Sequence, residues 1–237
     1  MKSKTPFIII LLVLAVAIGG AWYLKRAATK PTNPTMTSAA NNGNTSAVRN
    51  GTAPPAAAGV NGAEPPHTLG PASAPVRLEE FGDFECPPCG LLHPILEQMR
   101  SEFGERVQIT FREFPLVPTH QHAMAAASAA EAAALQGKFW EMHDLLYENQ
   151  KAWHELFDVR PVFEGYAKQI GLDVERYKRD VNSDVVAQRI FQDGKRGHYL
   201  GVKGTPSLFM NGREIPFESM PADSLRVLIN KELSGSK

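Results

Sequence analysis

The 237-residue chain contains two cysteines, and they stand together as Cys86-Pro87-Pro88-Cys89. Thiol–disulfide exchange needs an exposed thiolate and a second thiol placed to resolve the mixed disulfide, and this spacing offers both. A purely structural disulfide here would close a very small loop and restrain little of the unfolded chain. A tetrahedral zinc site would need two further ligands, and no second Cys pair or nearby His pair supplies them. A redox pair is the reading that remains.

The elements around the pair must present it. Val76 to Phe84 alternates in polarity as a strand does, and Pro87 to Phe103 has helical periodicity. The apolar face of that helix is expected to hold Leu91, Leu92, Ile95, Leu96 and Met99, with a kink at Pro94. Cys86 therefore falls at a helix start, where free backbone N–H groups and the helix dipole favour negative charge on sulfur. Pro87 suits the first turn, because the N–H it lacks has no partner there anyway. Cys89 lies one turn further in and is expected to face the protein. This ordering makes Cys86 the attacking nucleophile and Cys89 the resolving thiol.

Further on, Val107 to Phe114 reads as a second strand, and helical patterns cover Ala123 to Gln136, Phe139 to Asn149 and much of Arg160 to Tyr199. Ser207–Met210 and Glu214–Phe217 flank Asn211-Gly212, a strong hairpin signal. An amphipathic helix from about Ala222 to Leu233 closes the chain. The order of strand, helix, strand, helical block, hairpin and helix predicts an α/β fold. Its central sheet must be mixed, because a hairpin cannot belong to a purely parallel one. The helical insertion is expected at about residues 119–200.

Composition bounds the rest. With 43% apolar residues the chain can bury a real core, and its length suggests one domain or at most two. Its 25 basic and 25 acidic residues cancel, and no basic stripe appears, which argues against a nucleic-acid partner. Phe7 to Leu24 is an uncharged apolar run with Lys2 and Lys4 before it and Lys25 and Arg26 after it. At about 1.5 Å per residue such a run crosses a ~30 Å hydrocarbon layer, so residues 1–26 are expected to be a single-pass inner-membrane anchor. A cleaved signal peptide is the rival, with a shorter apolar core and Ala15-Val16-Ala17 or Gly19-Gly20-Ala21 as the cleavage site. Residues 27–66 are rich in Ala, Asn, Thr, Gly and Pro and poor in large apolar side chains, which predicts a disordered linker. The folded domain is expected over 67–237, in the periplasm or another extracytoplasmic space.

The run Phe81-Gly82-Asp83-Phe84-Glu85-Cys86-Pro87-Pro88-Cys89, followed by Gly204-Thr205-Pro206 before a strand, resembles the thioredoxin fold. The DsbA-like branch, which carries a helical insertion, is the closer resemblance. Gln136-Gly137-Lys138-Phe139-Trp140-Glu141-Met142-His143-Asp144-Leu145-Leu146 and Gly201-Val202-Lys203-Gly204-Thr205-Pro206-Ser207 are similar to segments of that branch. The resemblance covers nearly everything from Pro75 onward. It implies that Pro206 is a cis-proline beside the cysteines, with the backbone before it free to pair with substrate. It also implies that Thr205 faces the redox pair, its hydroxyl within reach of sulfur. Glu80, six residues before Cys86, matches the acid that many thioredoxin-fold proteins bury beneath the resolving cysteine. A carboxyl buried there would have a raised pKa and could take the Cys89 proton through water.

His93, His120, His122, His143 and His198 are scattered, and helix-surface or capping roles are expected for each. Lys195 and Arg196 read as a solvated patch. Strongly oxidising members of the family often place a histidine before the second cysteine. Here Pro88 stands in that place and Glu85 precedes Cys86, which predicts a less acidic Cys86 and a potential closer to thioredoxin's.

Three functions fit. The first is an oxidase that donates its disulfide to cysteine-containing exported proteins and is recharged by a DsbB-like membrane partner. The second is a reductase or isomerase fed by an inner-membrane reductant. The third is a metal-handling or assembly-factor module. No organic cofactor is required, since the disulfide itself carries the electrons.

Overall fold

The computed structural model describes residues 59–235; the expected anchor, and the linker up to residue 58, lie outside the described residues. Among the described residues no helix is long and apolar enough to cross a membrane.

Five strands form one mixed sheet: β1 (His67–Leu69), β2 (Val76–Gly82), β3 (Val107–Glu113), β4 (Ser207–Met210) and β5 (Arg213–Ile215). Their spatial order is β1-β3-β2-β4-β5. Only β2 and β3 run parallel, with Val76 opposite Val107 and Glu80 opposite Phe111; the other neighbours are antiparallel. The parallel pair is joined by α1 (Pro87–Phe103), the kind of long crossover that parallel strands require. Between β3 and β4 the chain builds a helical block. It comprises α2 (Ala123–Ala134), α3 (Phe139–Glu148), α4 (Gln150–Trp153), α5 (Arg160–Gln169), α6 (Val174–Asp180) and α7 (Asp184–Leu200). The last helix is α8 (Ala222–Gly235).

Two apolar clusters place the cysteines. Leu92, Leu96 and Met99 of α1 pack with Leu225 and Ile229 of α8 against Val76, Leu78 and Leu208 of the sheet. The helical block has its own core, in which alanines of α2 surround Met142, Leu146, Trp153 and Phe163. Alanine is the best helix former, and its small side chain lets neighbouring helices approach closely. Phe84, Cys86 and Cys89 belong to this second cluster, so the redox pair sits on the seam between the sheet and the helical block.

Several sequence expectations shift. Residues 59–66, assigned to the linker by composition, lie against the domain: the Ala63 N–H donates to buried Asp193, and Arg112 and Arg196 donate to the carbonyls of Ala63 and Val60. Side-chain composition missed this because the segment is held by its backbone. The strand β1 also went unseen, being three residues long. The hairpin's second strand starts at Arg213 rather than Glu214. Asn211 and Gly212 both take positive φ (49° and 78°), and this two-residue turn pairs Met210 directly with Arg213. Leu91 is 70% exposed rather than on the apolar face of α1, which instead comprises Cys89, Leu92, Leu96, Met99 and Phe103. Arg196 is no solvated residue, since it grips both carboxylate oxygens of Glu79.

Candidate active site

The turn before α1 is tied down from below. The Cys86 N–H donates to the Asp83 carbonyl, and the Asp83 carboxylate accepts from the N–H groups of Glu85 and Leu116. His120 Nδ1 lies 2.7 Å from the other face of that carboxylate system, at Oδ2. The Glu85 carboxylate turns away to accept the His122 N–H. Gln150 of α4 donates to the carbonyls of Phe84 and Cys86, at 2.7 and 2.9 Å. This close approach explains Gly90: a Cβ there would stand 2.7 Å from the Gln150 side-chain oxygen.

Cys86 occupies the N-cap of α1 with extended backbone angles, followed by Pro87 at the first helical position. Both cysteines are free thiols. Cys86 Sγ donates to the Thr205 carbonyl at 3.2 Å, and the Thr205–Pro206 peptide is cis. The Thr205 hydroxyl oxygen is buried and has no hydrogen-bond partner among the described residues. Ionisation of Cys86 gives that hydroxyl an acceptor. The thiol is accordingly lowered to about 6, chiefly by a hydrogen bond from Cys89, with help from Thr205 and the Cys89 backbone, against burial and the Asp83 charge. The acid that opposes the thiolate is therefore Asp83 and not Glu85, whose charge is engaged at His122. The expectation of a Cys86 less acidic than in strongly oxidising relatives agrees with this: about 6 lies below a free thiol, near thioredoxin's ≈ 7 and well above DsbA's ≈ 3.5.

Cys89 is the opposite case. It is fully buried, and burial, its hydrogen bond to Cys86 and the Glu80 charge push its thiol well up. Glu80 is 2% exposed, and burial, followed by the Cys86 charge, raises its carboxyl to about 8. Its Oε1 has no hydrogen-bond partner among the described residues, and neither do both Glu113 carboxyl oxygens or the Tyr147 hydroxyl. Buried polar atoms are rarely left unpaired, and such groups mark functional sites or bridging water. Burial raises Tyr147 well above its ordinary value, and the charges of Cys89, Glu80 and Glu113 add to this, so these groups share one interior region. The arrangement offers one acidic thiol, only 4% exposed and set against the Thr205 carbonyl, one high-pKa thiol that is fully buried, and a carboxyl able to hold a proton.

Structure thus brings Cys86, Cys89, Glu80, Thr205 and Pro206 into one neighbourhood. Sequence reasoning missed Glu113, Tyr147, Asp83 and Gln150. Glu113 had a signal, because it follows Val107, Ile109 and Phe111 in the inward register of β3. Gln150 and Tyr147 had none, because their partners are far away in sequence. His93 and His143, expected as separate surface or capping residues, lie together with ring centroids 5.2 Å apart.

A family model described as thioredoxin matches residues 63–231. The Na+/H+ antiporter NhaA 1 of Salinispora arenicola is 40% identical over 148 residues, which is 62% of this chain and 22% of the antiporter. The chain therefore spans about a fifth of the length of the curated relatives it matches. Oxidised BdbD from Bacillus subtilis superposes with a TM-score of 0.63 at 24% identity, covering 74% of this chain and 98% of that one. The thiol-disulfide exchange protein alpha-DsbA2 from Wolbachia pipientis gives 0.58 at 20% identity, covering 70% and 88%. At those identities the likeness is one of fold. Fold and paired thiols together are those of a thioredoxin-fold domain with two free cysteines at a helix start. The chain belongs to the thioredoxin family, in the DsbA-like arrangement that inserts a helical block into the fold.

Proposed function

We propose that this protein donates its Cys86–Cys89 disulfide to cysteine-containing proteins outside the cytoplasm. A substrate thiolate attacks Cys86 sulfur, and the Cys89 thiolate leaves and takes up a proton, for which Glu80 is placed as donor. The substrate's second thiolate then attacks its own sulfur in the mixed disulfide and releases Cys86. Two electrons pass from the substrate dithiol to the Cys86–Cys89 pair; of the two protons the substrate gives up, one replaces that transferred from Glu80 to Cys89 and the other goes to solvent, because Cys86 leaves as a thiolate. Pro206 holds the Thr205 backbone beside the pair as the docking edge for the extended substrate.

The observation that carries this reading is the inequality of the two thiols. Cys86, lowered to about 6, is the better leaving group from a mixed disulfide, and its stabilised thiolate favours the dithiol form, which makes the disulfide oxidising. The apolar run Phe7 to Leu24 supports a tethered, extracytoplasmic location with a membrane oxidant of the DsbB type as partner. Trapping free thiols in living cells with an alkylating reagent tests the direction. The oxidase reading expects Cys86 and Cys89 to rest as a disulfide.

One observation favours the reverse direction. Pro88 occupies the place where strongly oxidising relatives put a histidine, and a Cys86 at about 6 is only moderately acidic. A resting dithiol in cells would establish the reductase or isomerase reading and remove the oxidase.

A further inference from the structure

We infer that His93, His143 and Asp144 form a site for a divalent transition ion of the Zn2+ class, built where α1 meets α3. The side chains come from two stretches of sequence, His93 of α1 and the adjacent His143 and Asp144 of α3, and one ligand atom from each lies within 4.8 Å of the others. His143 Nδ1 stands 2.9 Å from Asp144 Oδ1, and His93 Nε2 stands 3.9 Å from the same oxygen. A tetrahedral ion about 2.0–2.2 Å from each ligand holds neighbouring ligands about 3.3–3.6 Å apart, so small side-chain movements complete the cage.

The rings are already oriented. His93 stacks on Tyr147 with centroids 5.4 Å apart, and His143 sits edge-on to Phe84, Phe111 and Trp140. The Asp144 side chain is 44% exposed, which leaves the site an open side for water and for ion entry. Two imidazoles and one carboxylate suit Zn2+, Cu2+ or Ni2+ far better than Mg2+ or Ca2+, which prefer all-oxygen shells. His93 lies one helical turn beyond Cys89, so the ion would clamp the redox helix to the helical block without using either cysteine.

The test is calorimetric titration of the full chain with Zn2+ after the Cys86–Cys89 disulfide has been formed, so that no thiol can ligate. The inference expects one ion per chain, and at least ten-fold weaker binding in Asp144→Asn and in His93→Gln. Because the Asp144 side chain is 44% exposed, Asp144→Asn should unfold at the parent's temperature without metal, while Zn2+ raises the unfolding temperature of the parent only. His143→Ala is avoided, since that ring is part of the core. Failure of the oxidised protein to bind Zn2+, or equal binding in both variants, would overturn the site and leave the histidines as packing residues. Neither result bears on disulfide exchange.

Discussion

At the scale of single residues, the two thiols differ because their surroundings differ. Cys86 caps a helix and meets donors, whereas Cys89 is enclosed with a carboxyl beneath it. The rate at which iodoacetamide modifies Cys86 in the reduced protein should therefore rise through a midpoint near pH 6, where a free thiol would show one near 9. Thr205→Val removes the hydroxyl that a Cys86 thiolate can use, and should move that midpoint upward by about half a unit to one unit, as expected for loss of a hydrogen bond worth ~1 kcal/mol. Glu80 supplies a second pH dependence. Its folded-state pKa, about 8, lies above its ordinary 4.5. The folded protein therefore holds that proton more tightly than the unfolded chain does. The linked stability is fully present below 4.5 and is lost as pH rises through 8. Denaturant titrations between pH 5 and pH 9 should show this loss in the parent and a flatter profile in Glu80→Gln. Equal slopes would mean that Glu80 does not carry the buried proton.

At the scale of elements, α1 and β4 keep the bounds that periodicity and turn signals predict, and the helices expected at 123–136, 139–149 and 222–233 end within two residues of theirs, whereas α4 was not foreseen. Helix starts such as Pro87 and turns such as Asn211-Gly212 are written in local backbone chemistry, and that is why they could be read. What could not be read depends on distant partners. Arg196 meets Glu79 across 117 positions, and Gln150 meets the Phe84 and Cys86 carbonyls across more than 60. No periodic pattern marks such pairs, so Arg196 looked solvated and Gln150 drew no notice. The site followed the same division: Cys86, Cys89 and Glu80 sit at short fixed spacings, while Glu113 and Tyr147 join them only through the fold. The short helix α4 has little role besides placing Trp153 and Gln150. Gln150→Ala should leave the Phe84 carbonyl without the Gln150 donor, while the Cys86 carbonyl keeps the Cys89 and Gly90 N–H groups, and cost about 1–3 kcal/mol of stability, read from the denaturation midpoint.

At the scale of the whole molecule, a buried polar junction joins pieces that the sequence keeps far apart. Asp193 of α7 accepts from the Ala63 N–H, from Arg112 and from the Glu113 N–H, while Glu79 binds both Arg112 and Arg196. The segment 59–66, the strand β3 and the helix α7 are thereby locked together behind the site. Removing Asp193 takes the acceptor from the Ala63 and Glu113 N–H groups and leaves Arg112 with Glu79 alone, so Asp193→Ala should destabilise the protein by about 2–4 kcal/mol. The same construction leaves the Cys86–Cys89 pair at the seam of sheet and helical block, one sulfur bonded to the Thr205 carbonyl and the other fully enclosed. The account stands or falls on that asymmetry. It is tested most directly by trapping mixed disulfides with a cysteine-containing client in Cys89→Ser and in Cys86→Ser. A stable adduct should accumulate through Cys86 in Cys89→Ser, and almost none should form in Cys86→Ser. Adducts through Cys89, or equal yields from the two variants, would contradict the assignment of Cys86 as the attacking and accepting sulfur.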